Sequence, residues 1–149
     1  MIFVKLIFGF LTLVSLVFFL LGLRSQKGSA PGLKNGQLSP CSSRPNCVSS
    51  ESETQPEKKI DPFSGSLQEV KQAILDTGGT ITAETDSYIS AAYMTKIFKF
   101  VDDVELRQSS DGLVHIRSAS RVGFSDRGIN RTRVRAIRLA LKNKNGKTK

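Results

Sequence analysis

The stretch Ser118–Arg138, SASRVGFSDRGINRTRVRAIR, decides how this chain is read. Its first residues close an alternating run, Leu113 to Ser120, with Val114, Ile116 and Ser118 on one side and His115 and Arg117 on the other. A period of two with one apolar side is a half-buried strand. From about Asn130 the period changes: Val134, Ile137 and Leu141 recur at helical spacing, with Ala140 small enough for close packing. Between strand and helix stand Arg121, Gly123, Ser125, Asp126, Arg127 and Gly128. Polar density at such a junction marks either a built site or a heavily hydrogen-bonded turn.

Upstream, three more segments rich in β-branched and aromatic residues read as strands: Thr80–Glu84, Ser87–Lys96 and Phe100–Gln108. Asp86-Ser87 and Ser109-Ser110-Asp111-Gly112 supply turn chemistry between them. Val104 and Leu106 alternate with Asp103, Glu105 and Arg107, as in a sheet with one buried face. Ahead of the strands, Ser66-x-x-Glu69 fits a capping box. Leu67, Val70 and Ile74 then share a helical face with Ala73 beside them, and Gly78-Gly79 ends the helix. The expected fold is α+β: an antiparallel four-stranded meander flanked by two helices, the second running from about Asn130 to Leu141.

The chain divides into an anchor or uncleaved signal (1–23), a tether and extended loop (24–60), the α+β domain (61–142) and a basic tail, NKNGKTK (143–149). Leu6–Leu23 carries no charge and rises about 27 Å as a helix, close to a bilayer's hydrocarbon thickness. The run has no polar face, which excludes an ordinary core helix. A removed signal peptide is the alternative, but its apolar region is usually shorter, and Pro31 would follow a cut after Gly28 and Ala30. Lys5 on one flank and Arg24, Lys27 and Lys34 on the other leave the charge rule for orientation without a clear answer.

Cys41 and Cys47, in CSSRPNC, are the only cysteines. Pro45-Asn46 can turn the loop back and bring the two thiols within bonding reach. A disulfide points to an oxidising compartment. The sharper alternative, zinc, lacks ligands, since His115 is the single histidine. No metal and no cofactor are expected. The localisation expected is the bacterial inner membrane, single-pass, with the domain in the periplasm.

Charge is uneven. Residues 127–149 hold nine Lys or Arg and no acid, and Arg131, Arg135, Arg138 and Lys142 share one helical face by spacing. That face is either solvated or a contact for anionic lipid headgroups or another polyanion. Nucleic acid is not expected, because no stacking motif accompanies the arginines.

CSSRPNCVSS, FVDDVELR and RSASRVGFSDRGINRTRV together resemble domain-of-unknown-function family 1499 over about residues 40–142. The resemblance implies an envelope-associated or organellar setting. It transfers no catalytic residues, and it is compatible with Phe63, after Asp61-Pro62, as a core plug beneath the first helix.

Asp102 and Asp103 are adjacent on a strand and point to opposite faces, so they cannot act as one acid/base pair. Arg117, Arg121 and Arg131 are the candidates to meet them. At the junction, Asp126 can accept turn amides while Asn130 caps the helix. The functional reading of the same geometry is an anion at the helix N-terminus, among Ser118, Ser120, Arg121, Ser125, Asp126, Asn130 and Arg131. Three functions follow: an anchored envelope protein binding an anionic ligand or surface near 118–138, a structural or assembly factor docking on a partner protein or membrane, or a cofactor-free hydrolase using His115. No G-x-S-x-G elbow, phosphate loop or dinucleotide fingerprint is present, so no catalytic residue is assigned.

Overall fold

The computed structural model describes residues 1–145. The α+β architecture is as expected, and helix α2 (Leu67–Asp76) starts with the expected capping box: Ser66 Oγ accepts the Glu69 amide while the Glu69 carboxylate accepts the Ser66 amide. The meander is β5 (Thr80–Glu84), β6 (Tyr88–Met94), β7 (Val101–Gln108) and β8 (Leu113–Ser120), all antiparallel.

The sheet has six strands rather than four. β3 (Cys47–Ser49) and β4 (Phe63–Ser64) lie one after the other along the outer edge of β8, β3 opposite Arg117–Ala119 and β4 opposite Leu113 and Val114. Strands of two and three residues are too short to show a period, so only pairing reveals them. A separate hairpin joins β1 (Leu33–Lys34) to β2 (Gln37–Leu38). Its turn residues, Asn35 and Gly36, have φ of 52° and 75°, the left-handed pair that an Asn-Gly hairpin turn requires.

One face of the sheet carries the apolar core. Ile89 and Ala91 of β6, Val104 and Leu106 of β7, and Val114 and Ile116 of β8 pack beneath Val70, Ala73 and Ile74 of α2 and Val134, Ile137 and Leu141 of α3 (Ile129–Asn145). Phe63 is fully buried in the same cluster, close to the first turn of α2. Helix α3 outlasts the expected end at Leu141 by four residues, so residues 143–145 are helical and not tail; residues 146–149 lie outside the described residues.

The opposite face is not wet. Asp103, Glu105 and Glu51 are all buried, and β7 is covered on both sides for most of its length. The cover is the segment that follows α1 (Ile2–Gln26). The Gly32 amide donates to Glu105 Oε1 and the Leu38 amide to Glu51 Oε1, both at 2.9 Å. Residues 32–38 therefore form a lid pinned to the polar sheet face.

Helix α1 is long and apolar enough to cross a membrane, with a mean hydropathy of 2.7 over its most apolar window and only 6 % of that window buried. Its last turns, Phe18 to Gln26, touch the domain. Ser25 is buried, and its Oγ accepts the Val101 amide at 3.0 Å while donating to the Gly22 carbonyl. The Arg121 guanidinium reaches the Ser25 carbonyl at 3.2 Å. A Cβ on Gly22 would overlap the Phe98 carbonyl, so glycine here permits backbone contact. Gly22→Leu is expected to weaken this docking by about 1–3 kcal/mol, as overpacking does. Limited trypsin digestion at Arg24 and Lys27 should accelerate, while the protection of β6–β8 amides stays unchanged.

Candidate functional site

At the strand-to-helix junction, the motif residues bond mainly to one another. Asn130 is fully buried and acts as a hub. Its Oδ1 accepts from Ser118 Oγ and from the Arg133 guanidinium, both at 2.6 Å. Its Nδ2 donates to the Asn46 carbonyl at 3.0 Å and to Ser120 Oγ at 3.2 Å. Asn130 is therefore not the helix cap. Asp126 has that role, accepting the Gly128 amide at 2.9 Å and the Asn130 amide at 2.7 Å. A carboxylate at a helix N-terminus satisfies free amides and the local positive potential together. Ser125 Oγ accepts the Arg127 amide at 3.2 Å, and Arg127 itself has φ of 53°. The anion position imagined at this terminus is thus filled by the chain's own Asp126.

The two adjacent aspartates do point to opposite faces, and each meets an arginine. Asp103 accepts two bonds from Arg121, at 2.7 and 2.8 Å. Asp102 meets Arg133 at 2.6 Å, an arginine the sequence did not single out, and Arg133 also lies over the Tyr93 ring at 4.8 Å. Arg117 pairs with Glu105 at 2.8 Å, and Arg131 pairs with no acid among the described residues. Glu105 also accepts from the Tyr88 hydroxyl at 2.9 Å. Burial first, then the negative charge of Glu105, pushes the Tyr88 phenol far above its ordinary value.

Glu51 completes this lower layer, with a two-bond pair to Arg107 at 2.8 and 2.9 Å. Burial alone raises the Glu51 carboxyl, but the hydrogen bonds from Arg107 and the Leu38 amide, with the charges of Arg107 and His115, outweigh burial and hold it below 4.5. His115, expected on an exposed strand position, is instead largely covered. Its Nδ1 lies 3.2 Å from Ser50 Oγ and 3.7 Å from Glu51 Oε2. A serine, a histidine and an acid thus meet, but not as a relay, because both partners approach the same ring nitrogen. Ser50 Oγ is also committed to the Ile116 backbone, accepting its amide at 2.8 Å. That hydroxyl is buried and is no nucleophile.

The basic face of α3 is different in kind. Arg131 donates to the carbonyls of Lys59 and Glu57, and Arg138 to those of Pro62 and Asp61. The Arg138 guanidinium also sits 4.4 Å from the centre of the Phe63 ring. With Lys59, Ile60, Asp61, Val134 and Arg135, these arginines line an open depression of about 310 Å³. Carbonyls and an aromatic face satisfy the guanidinium donors without cancelling their charge. Arg135 and Lys142 are exposed and form no ion pair among the described residues.

Cys41 and Cys47 form a disulfide, which closes the loop ahead of β3. Among the described residues, no group of three or more His, Cys, Asp or Glu could hold a metal ion. Fold and site together define an α+β domain on an apolar N-terminal helix, with charged layers buried on both sides of its sheet. The chain belongs to the family described as Protein of unknown function (DUF1499), whose profile matches residues 37–141. No curated protein and no solved structure matches the chain.

Asn130→Ala strips Arg133, Ser118, Ser120 and the Asn46 carbonyl of a partner in a buried network. A loss of about 2–4 kcal/mol is expected in urea unfolding. For Glu51, the folded-state pKa lies below the unfolded one. Its stabilisation is therefore complete above about pH 4.5 and is lost as pH falls through the folded value. Glu51→Gln should cost about 3 kcal/mol at pH 7, from the Arg107 left unpaired. The gap between wild type and variant, measured by urea midpoints, should narrow steadily towards pH 3.

Proposed function

We propose that the protein is an uncleaved, single-pass membrane anchor carrying a periplasmic domain of the bacterial envelope, and that the domain binds an anionic ligand or polyanionic partner on the basic face of α3. Three observations support the setting. The apolar body of α1 is exposed along its length, as suits lipid rather than a core. Its last turn is built into the domain through Ser25 and Gly22, contacts that removal of a signal peptide would destroy. The Cys41–Cys47 disulfide fits an oxidising compartment.

The observation that carries the binding reading is the contrast between the two groups of motif residues. Ser118, Ser120, Arg121, Asp126 and Asn130 are consumed by internal bonds. Arg131, Arg135 and Arg138 keep their charge beside an open depression. The ligand surface therefore belongs to the second half of the motif, and the first half holds the fold.

Placement favours a partner away from the anchoring bilayer. Helix α3 begins at the α1 end of the sheet, where Asn130 meets Ser120. It passes Arg138 over Phe63, which pairs with Val114 near the far end of β8. The basic stripe from Arg131 to Lys142 thus leads away from α1.

The test is polyphosphate binding to the full chain in nanodiscs of zwitterionic lipid. With about 1 kcal/mol for each basic residue at an anionic surface, the double variant Arg135→Glu, Lys142→Glu should bind at least about tenfold more weakly, without loss of thermal stability. Wild-type protein that ignores polyphosphate, or a variant that binds as wild type does, contradicts the reading.

A further inference from the structure

The end of the domain that meets α1 differs from the other end. The β6–β7 hairpin turns there through Thr95–Phe100, closed by the Thr95 amide on the Phe100 carbonyl and by the Phe100 amide on Thr95 Oγ1. Its exposed surface is apolar: Ile97 is 81 % exposed and Met94 is 56 % exposed. The loop leaving β8 at the same end exposes Phe124 as well. At the far end, the turns are built from Asp86-Ser87 and Ser109–Gly112, as water-facing turns ordinarily are.

Contacts with α1 set the level of this tip. The Phe98 ring stands 5.3 Å from the Phe18 ring, and Phe100 meets both in edge-on contacts. Phe18 lies six residues before Arg24, so at 1.5 Å per residue it sits about 9 Å inside the apolar run. Apolar groups of interfacial segments reach about 5–10 Å into the headgroup and acyl boundary. Packing on α1 alone puts the Phe98 ring at that depth, with the Phe98 carbonyl level with Gly22 and the Lys99 carbonyl level with Gln26. Lys96 and Lys99, both exposed, flank Ile97 and are long enough to carry their charges back to the headgroups.

We propose that the β6–β7 hairpin tip enters the bilayer interface beside α1, with Ile97 and Met94 among the acyl chains and Lys96 and Lys99 at the lipid phosphates. The inference rests on the reading of α1 as membrane-spanning. It adds a second membrane contact, which fixes the tilt of the domain and holds the α3 face outward. A lone helix would leave the docked domain free to tilt with it in the bilayer and to turn about its axis.

The chain has no tryptophan, so a single substitution gives an unmixed signal. The probe is the full chain in phosphatidylcholine vesicles, with and without acyl-chain bromination, carrying Ile97→Trp, Leu11→Trp in mid-helix or Asp86→Trp at the far end. The expected result is blue-shifted emission at positions 11 and 97, quenched by bromolipid and shielded from iodide, with the reverse at position 86. Quenching at 11 but an aqueous signal at 97 overturns the hairpin proposal and leaves the anchor standing. An aqueous signal at 11 overturns both. Matching circular dichroism and thermal midpoints across the three variants show that each has folded.

Discussion

The structure depends on burying charge on the side of the sheet away from the helices. Asp103 with Arg121, Glu105 with Arg117, and Glu51 with Arg107 form three ion pairs under cover. Buried ions are tolerated only when paired and otherwise hydrogen-bonded, because desolvation costs several kcal/mol for each. The pairs alone do not suffice. The remaining carboxylate oxygen positions are completed by the amides of Gly32 and Leu38 and by the Tyr88 hydroxyl. The segment after α1 is therefore a lid, and the sheet face is its template. Arg121 extends the same layer to the Ser25 carbonyl, so the end of α1 joins the network.

The helix-covered side has a matching device. Asp102 holds Arg133, which holds Asn130, which holds Ser118 and the Asn46 carbonyl. Two neighbouring aspartates thus act on opposite layers: Asp103, through Arg121, holds the end of α1, and Asp102, through Arg133, holds α3. Between them they account for most of the polar residues in the junction. What they leave over is the charge of Arg131, Arg135, Arg138 and Lys142, the first three of which line an open depression.

Much of this fold could be read from residue types. β-branched and aromatic content, with a period of two in the last two, placed the four meander strands within a residue or two, and Ser66-x-x-Glu69 placed the start of α2. The spacing of Cys41 and Cys47 carried their disulfide. The rest was hidden for physical reasons. β3 and β4 exist because β8 offers an edge, and their own sequences show no period. Alternation in β7 implied one wet face, because a polar side chain is usually a wet one. The contrary signal was the pairing of signs: Glu105 faces Arg117 directly across the strands, and Asp103 meets Arg121 just past the end of β8. Asn35-Gly36 was a readable hairpin signal that fixes the lid. Asn130 looked like a cap because asparagine often caps. Only the packing shows its side chain turned inward, with Asp126 four residues earlier on the amides.

The most direct test of the central claim is amide hydrogen exchange of the full chain in nanodiscs, read at Gly32 and Leu38. These amides lie outside the main sheet and are held by carboxylates on its far side. If the lid is part of the fold, both are protected nearly as well as the β7 amides, and the protection at Leu38 collapses in Glu51→Gln. If both exchange at the rate of an open linker, the charged face is not sealed as described, and the coupling of α1 to the domain fails with it.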